Sequence, residues 1–150
     1  MLSTTLPLLS LGAVAVPFVT ALIIVMTPQR AAKWLCITAA AISTLFTLLI
    51  WGNLAASGLD SITVPLAQFG STQVIGLIFD KVSVMLAPCF VGIGLLISIY
   101  SVGYMNAGNR EHPDAPRRRF YAFFTVFIGA MAGLVYSSTV IGQLMFFEIT

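Results

Sequence analysis

The sequence predicts an all-α integral membrane fold: four transmembrane helices plus the first half of a fifth, forming a single membrane domain over residues 1–150 with no soluble domain. Composition, run length and the placement of charge predict it. Of 150 residues, 59% are hydrophobic and 8% charged, against about 25% charged in an ordinary soluble domain. So few charges cannot cover a water-soluble surface. Apolar runs of membrane-crossing length recur along the chain, and the basic residues sit beside these runs rather than within them. The net charge of +2 is too small to indicate a nucleic-acid partner, and positive-inside sorting accounts for the same residues.

The first span is predicted from Leu6 to Met26. Pro7 stands near its start, where a missing N–H costs little, and Pro17 lies inside, where a kink is expected. No Lys or Arg precedes Arg30, which argues against a cleaved signal peptide. Thr27 to Arg30 reads as a turn. The second span runs from Ala32 to Leu54, with Trp34 and Trp51 as interface anchors near its two ends.

Residues 55–76 form the first polar connection. Ile62, Val64 and Leu66 alternate with Ser61, Thr63 and Pro65, and Gln73 to Ile75 reads as a return strand across a turn at Gly70-Ser71. A small β-hairpin in this outer loop fits the pattern; a plain loop fits it as well. The third span is predicted from Asp80 to Tyr104. Asp80 favours the positive end of the helix dipole, and the adjacent Lys81 points to a different face and need not pair with it. Pro88 falls in the first half of this span, while Gly92 and Gly94 leave room for a close neighbour.

Met105 to Arg119 reads as a polar loop holding Arg110, Glu111, His112, Pro113 and Asp114. The fourth span follows from Phe120 to Tyr136. Its Gly129-Ala130-Met131-Ala132-Gly133 is a small-xxx-small pattern that lets helix backbones approach closely, which signals packing. Ser137-Ser138-Thr139 is a tight turn. A fifth span begins near Val140 and covers about half of the roughly 20 residues a crossing needs.

Connections alternate between the two sides of the membrane. Arg30, Lys33, Arg110, Arg117, Arg118 and Arg119 fall on one side and Lys81 on the other. The positive-inside rule makes the first side cytoplasmic, so the N-terminus and the hairpin loop are expected outside. Glu148 then sits about 12 Å along the fifth helix at 1.5 Å per residue, near mid-membrane.

A carboxylate at that depth costs a few kcal/mol or more, so it marks a functional site by default. Glu148 is the primary candidate, as a proton-transfer group facing a polar cavity or a basic partner; the alternative is a hydrogen-bonded packing carboxylate. Asp80 is a weaker candidate on the outer face, with plain helix capping beside it. His112 is another, as a proton-uptake group at the cytoplasmic mouth, against a solvated loop histidine. The Arg117–Arg119 run serves topogenic anchoring or binds lipid headgroups or an acidic partner. Cys36 and Cys89 lie in apolar runs without metal-ligand spacing and are expected as free thiols. The sequence shows no catalytic triad, phosphate loop or metal cluster, so no cofactor is expected in this chain.

Phe79-Asp80-Lys81-Val82-Ser83 and Ile99-Tyr100-Ser101-Val102-Gly103-Tyr104-Met105 resemble the third helix of the antiporter-like proton-pumping subunits. Those subunits occur in complex I, multi-subunit sodium/proton antiporters and energy-converting hydrogenases. Arg119-Phe120-Tyr121-Ala122-Phe123-Phe124, the run Phe127 to Val135 and Phe146-Phe147-Glu148-Ile149-Thr150 continue the resemblance in order. Asn109-Arg110-Glu111-His112-Pro113 and the run Gly142 to Thr150 are similar to the hydrogenase-4 component D family, a membrane subunit of formate-hydrogenlyase-type complexes. The resemblance implies that the chain corresponds to the N-terminal third of such a subunit in the inner (cytoplasmic) membrane. It implies that Glu148 takes the place of the fifth-helix glutamate, which pairs with a lysine on a later helix. It further implies an oxidoreductase complex whose other membrane and hydrophilic subunits are partners, with NiFe and Fe-S centres held by those partners. Two readings from other classes stand beside it. One is a non-catalytic helical scaffold using the Gly129/Gly133 face for contacts; the other is a small self-contained ion transporter.

Overall fold

The computed structural model describes residues 2–58, 60–69, 72–105 and 117–150. Its elements run α1 (Leu2–Met26), α2 (Gln29–Ser57), β1 (Ser61–Phe69), β2 (Thr72–Asp80), α3 (Lys81–Tyr104), α4 (Arg117–Tyr136) and α5 (Val140–Ile149). Among the described residues, four helices have segments of 19, 29, 24 and 20 residues that are long and apolar enough to cross a membrane, matching the ~20 residues such a crossing needs. Helical structure continues through Pro17 and Pro88.

Small residues make many of the inner helix contacts, and many large apolar side chains face outward. Ala13, Ala32, Ala39, Ala40, Ala87, Ala130 and Ala132 are buried, while Leu22, Leu96 and Phe123 project outward at 71%, 66% and 74% exposure. Lipid is as apolar as leucine, so burying large side chains gains little there. Close backbone approach through small residues supplies the packing instead. Accordingly α1 lies against α2 and α4, α3 against α2 and α4, and α5 against α4.

Among the described residues, three buried clusters stack along the bundle. One joins the hairpin to the helices through Ala13, Ile50, Leu54, Leu77, Phe79, Val84, Ala87 and Tyr136. The middle one holds Ala40, Val91, Ile128 and Ala132. The third, at the opposite end, contains Ile24, Ala32, Cys36, Tyr121 and Ala122. It gathers the α1–α2 connection and the start of α4, so Arg30, Lys33 and Arg117 to Arg119 share one end of the bundle. Lys81 stands at the hairpin end.

The connection between α2 and α3 is a hairpin, with β1 and β2 antiparallel from Ser61↔Asp80 to Phe69↔Thr72 and the register shifting between Pro65 and Ala67 and again between Ala67 and Gln68. Proline is tolerated on edge strands and at bulges, and the irregularity begins beside Pro65. The return strand extends well past the predicted Gln73–Ile75, ending at Asp80. Leu77 and Phe79 are apolar residues buried against the helices on one face of this strand, a tertiary contact that local alternation did not reveal.

The helix bounds also differ from expectation. The fourth helix starts at Arg117 rather than Phe120, so the three arginines form its first turn instead of ending a loop. The first and second helices extend beyond the predicted Leu6–Met26 and Ala32–Leu54 at their polar ends. Hydropathy locates the apolar stretch, whereas backbone hydrogen bonding carries the helix past it.

Candidate functional site: a carboxylate on an open helix face

Thr139 starts α5 as its N-cap, its hydroxyl accepting a hydrogen bond from the Gly142 N–H at 3.2 Å. The helix runs back along α4 and packs through Phe146, whose ring fills the space a Cβ at Gly133 would occupy. Phe146 also meets Phe18 of α1, ring centroids 6.5 Å apart. Ile149 and Thr150 share a groove with Phe123, Val126 and Phe127, so the end of α5 lies level with the middle of α4.

Glu148 is exposed on α5. Ile141, Leu144 and Met145 stand seven, four and three residues before it and are also exposed, so the carboxylate belongs to an apolar stripe facing away from the bundle. Among the described residues the one ion pair is elsewhere, between Lys81 and Asp60. A carboxylate within such a stripe can exchange a proton, or pair with a cation brought against the face, once the stripe is covered.

Asp80 is a helix cap. Its Oδ1 accepts from the Ser83 N–H at 2.7 Å, and the Asp80 N–H donates to Ser83 Oγ at 3.0 Å. This reciprocal pair is a capping box. The Ser83 hydrogen bonds hold the Asp80 carboxyl below its ordinary value of 3.8. Lys81 reaches Asp60 at 2.6 Å instead of pairing with Asp80. His112 lies outside the described residues.

Both glycines of the small-residue pattern are used inside the chain. A Cβ at Gly129 would lie 3.0 Å from Pro17 and 3.1 Å from Phe18, and Gly133 faces Phe146. α1 and α5 already cover the Gly129/Gly133 face, so a scaffold of this kind would meet its partner through another surface.

A hydroxyl seam joins α2, α3 and α4. Cys36 Sγ lies 3.6 Å from Ser98 Oγ, the Ser101 hydroxyl donates to the Ser98 carbonyl at 2.7 Å, and the Tyr121 hydroxyl donates to the Ser101 carbonyl at 3.3 Å. The Ser98-x-x-Ser101 spacing was its only local signal. Among the described residues no three His, Cys, Asp or Glu side chains converge to hold a metal. Cys36 is buried while Cys89 is exposed, and both are free thiols.

Residues 68–121 match the family model of the NADH-ubiquinone oxidoreductase (complex I) chain 5 N-terminus. The match runs from the hairpin through α3 to the start of α4 and ends before α5. The chain is similar to Na(+)/H(+) antiporter subunit A1 of Staphylococcus aureus (strain bovine RF122 / ET3-1), 34% identical over 49% of this chain and 8% of that protein. It is similar to NADH-quinone oxidoreductase subunit L of Mycobacterium tuberculosis, 43% identical over 44% of this chain and 10% of that protein. A longer match, 67% of this chain and 14% of the relative at 28% identity, is to NAD(P)H-quinone oxidoreductase chain 5 of a Picosynechococcus species. The chain thus spans only a small part of the relatives it matches. The matches support an antiporter-like, complex I-type membrane segment.

Proposed function

We propose that this chain supplies part of a proton-translocating, antiporter-like membrane subunit of an oxidoreductase complex, with Glu148 as its proton-transfer group. The observation that carries the proposal is the placement of Glu148: a carboxylate on an exposed apolar helix face, level with the middle of its neighbour. An intramembrane acid without a function is costly to retain. The relatives' printed names, sodium/proton antiporter and quinone oxidoreductase subunits, support the same class. Within that class we propose a hydrogenase-4 or formate-hydrogenlyase-type complex, on the Asn109–Pro113 and Gly142–Thr150 runs. NiFe and Fe-S centres would belong to its hydrophilic partners.

The proposed orientation puts the N-terminus and hairpin outside the inner membrane and the Met105–Arg119 connection in the cytoplasm. The grouping of Arg30, Lys33 and Arg117 to Arg119 at one end supports it. A basic side chain brought against the Glu148 face would favour the ionised acid, and its withdrawal would favour proton uptake. The test is Glu148→Gln in the assembled complex, reading proton translocation in sealed vesicles alongside subunit content. Assembly is expected to persist while translocation falls sharply, and Glu148→Asp is expected to fall less. Normal translocation by an assembled Glu148→Gln complex would make the residue structural.

A further inference from the structure

Helix α5 is tied at its start to strand β2, a segment distant in sequence. The Thr139 hydroxyl donates to the Val74 carbonyl at 2.8 Å while accepting from the Gly142 N–H at 3.2 Å. Beside it, the Ser138 N–H donates to the Gly76 carbonyl at 2.9 Å. Gln73 Nε2 donates to Ser138 Oγ at 3.0 Å. Leu77 and Ser137 form an antiparallel bridge next to these bonds. A Cβ at Gly76 would run into the Gln73 side chain and Ser138 Oγ, so the strand approaches the α4–α5 connection as closely as its backbone allows.

One hydroxyl therefore serves both the strand and the helix. It uses its proton on the strand and a lone pair on the first turn of the helix, fixing where α5 begins and how it is rotated. Further along, Phe146 alone of residues 140–150 has a half-buried ring packed on Gly133, and Leu144, Met145, Phe147 and Glu148 are exposed. The end bearing the carboxylate is thus placed by the anchored start together with the Phe146 contact on α4. Glu148 is nine residues beyond Thr139, about 13 Å along a helix rising 1.5 Å per residue. A 10° change of helix direction at the anchor moves the carboxylate by about 2 Å over that length. Misplacement by about 1 Å costs up to about 100-fold in reactions that depend on positioning.

We infer that Thr139 is a positioning residue that registers α5 against β2 and so sets the depth and facing of Glu148; its consequence for proton transfer rests on the proposed role of that carboxylate. Thr139→Val keeps the shape and removes both hydrogen bonds, whereas Thr139→Ser keeps the hydroxyl.

The experiment measures the membrane depth of a spin label at Glu148→Cys in a Cys89→Ala background. Accessibility to oxygen is compared with accessibility to a water-soluble relaxation agent. The same Thr139 substitutions, with Glu148 retained, are assayed for proton translocation in the assembled complex. Thr139→Val is expected to shift the label's depth and lower translocation at least about tenfold, and Thr139→Ser to restore both. Gly76→Ala, which pushes on the junction from the strand side, is expected to shift the label too, and it decides the matter if Thr139→Val does not assemble. An unchanged depth in the assembled variant would overturn the positioning role. A shifted depth with normal translocation would uphold the anchor and overturn the proton-transfer reading of Glu148.

Discussion

Lys81 pairs with Asp60 across the base of the hairpin, Nζ to Oδ1 at 2.6 Å, and turns away from its sequence neighbour Asp80. The pair leaves the Lys81 and Asp60 side chains 75% and 87% exposed. Ion pairs in such surroundings contribute little, because water screens them and two long side chains must be held still. Asp60→Asn should therefore leave the thermal unfolding midpoint of the purified protein unchanged within error in both low and high salt. A clear loss confined to low salt would show that the pair organises the hairpin.

Asp80 should behave differently, since its carboxylate satisfies a backbone donor at the start of a membrane helix. Asp80→Ala is expected to cost about 1 kcal/mol, within the range for N-cap removal, and Asp80→Asn much less because asparagine also caps well. Equilibrium unfolding in detergent distinguishes the two; equal losses would mean that charge, rather than the cap hydrogen bond, matters.

The same group gives a pH dependence. Hydrogen bonds from Ser83 lower the Asp80 pKa from 3.8 in the folded state. A depressed carboxyl pKa contributes stability that is present above the unfolded value and lost as pH falls through the folded one. Protection of the Ser83 amide against hydrogen exchange should therefore hold down to about pH 4 and decline below it. Protection that declines already at pH 6 would implicate another group.

Glycine substitutions separate open space from filled space. A Cβ at Gly92 would meet nothing within 4 Å, whereas one at Gly133 would collide with the Phe146 ring. Gly92→Ala should be neutral or stabilising by up to about 1 kcal/mol, through reduced backbone freedom. Gly133→Ala gains the same term but overpacks the α4–α5 contact, at a cost of about 1–3 kcal/mol. Adding Phe146→Leu should recover part of that loss. Equal effects at the two glycines would contradict the close α4–α5 approach.

Orientation is tested by cysteine labelling in a Cys89→Ala background. A membrane-impermeant maleimide added outside should modify Ser61→Cys and spare Asn109→Cys in intact cells. The reverse pattern would invert the bundle and send α5 the other way through the membrane.

The spans were legible because about 20 apolar residues in a row is a strong and local signal. Asp80 at a helix start, the Gly129/Gly133 packing pattern and the separation of Lys81 from the arginines were local as well. The full hairpin was not, because the inward-facing Leu77 and Phe79 are explained only by the helices they meet. Thr139 stands in a Ser-Ser-Thr turn whose local pattern says nothing of β2; its bond to Val74 crosses 65 positions, and no spacing rule reaches so far. The Cys36–Ser98–Ser101–Tyr121 seam was hidden for a different reason. Hydroxyls and thiols barely alter hydropathy, so polar contacts made by uncharged groups leave an apolar run looking uniform. Glu148 stood out because a full charge is the one thing such a run cannot absorb.

The ribbon formed by β1 and β2 also resists growth. The edge of β2 is engaged at Leu77 and Gly76 by the α4–α5 connection. The opposite edge carries Pro65 and two register shifts in quick succession. A row of regularly spaced donors and acceptors is what recruits a foreign strand, and neither side offers one. Two nine-residue strands are thereby made a poor template for further pairing, one rim partly occupied and the other irregular.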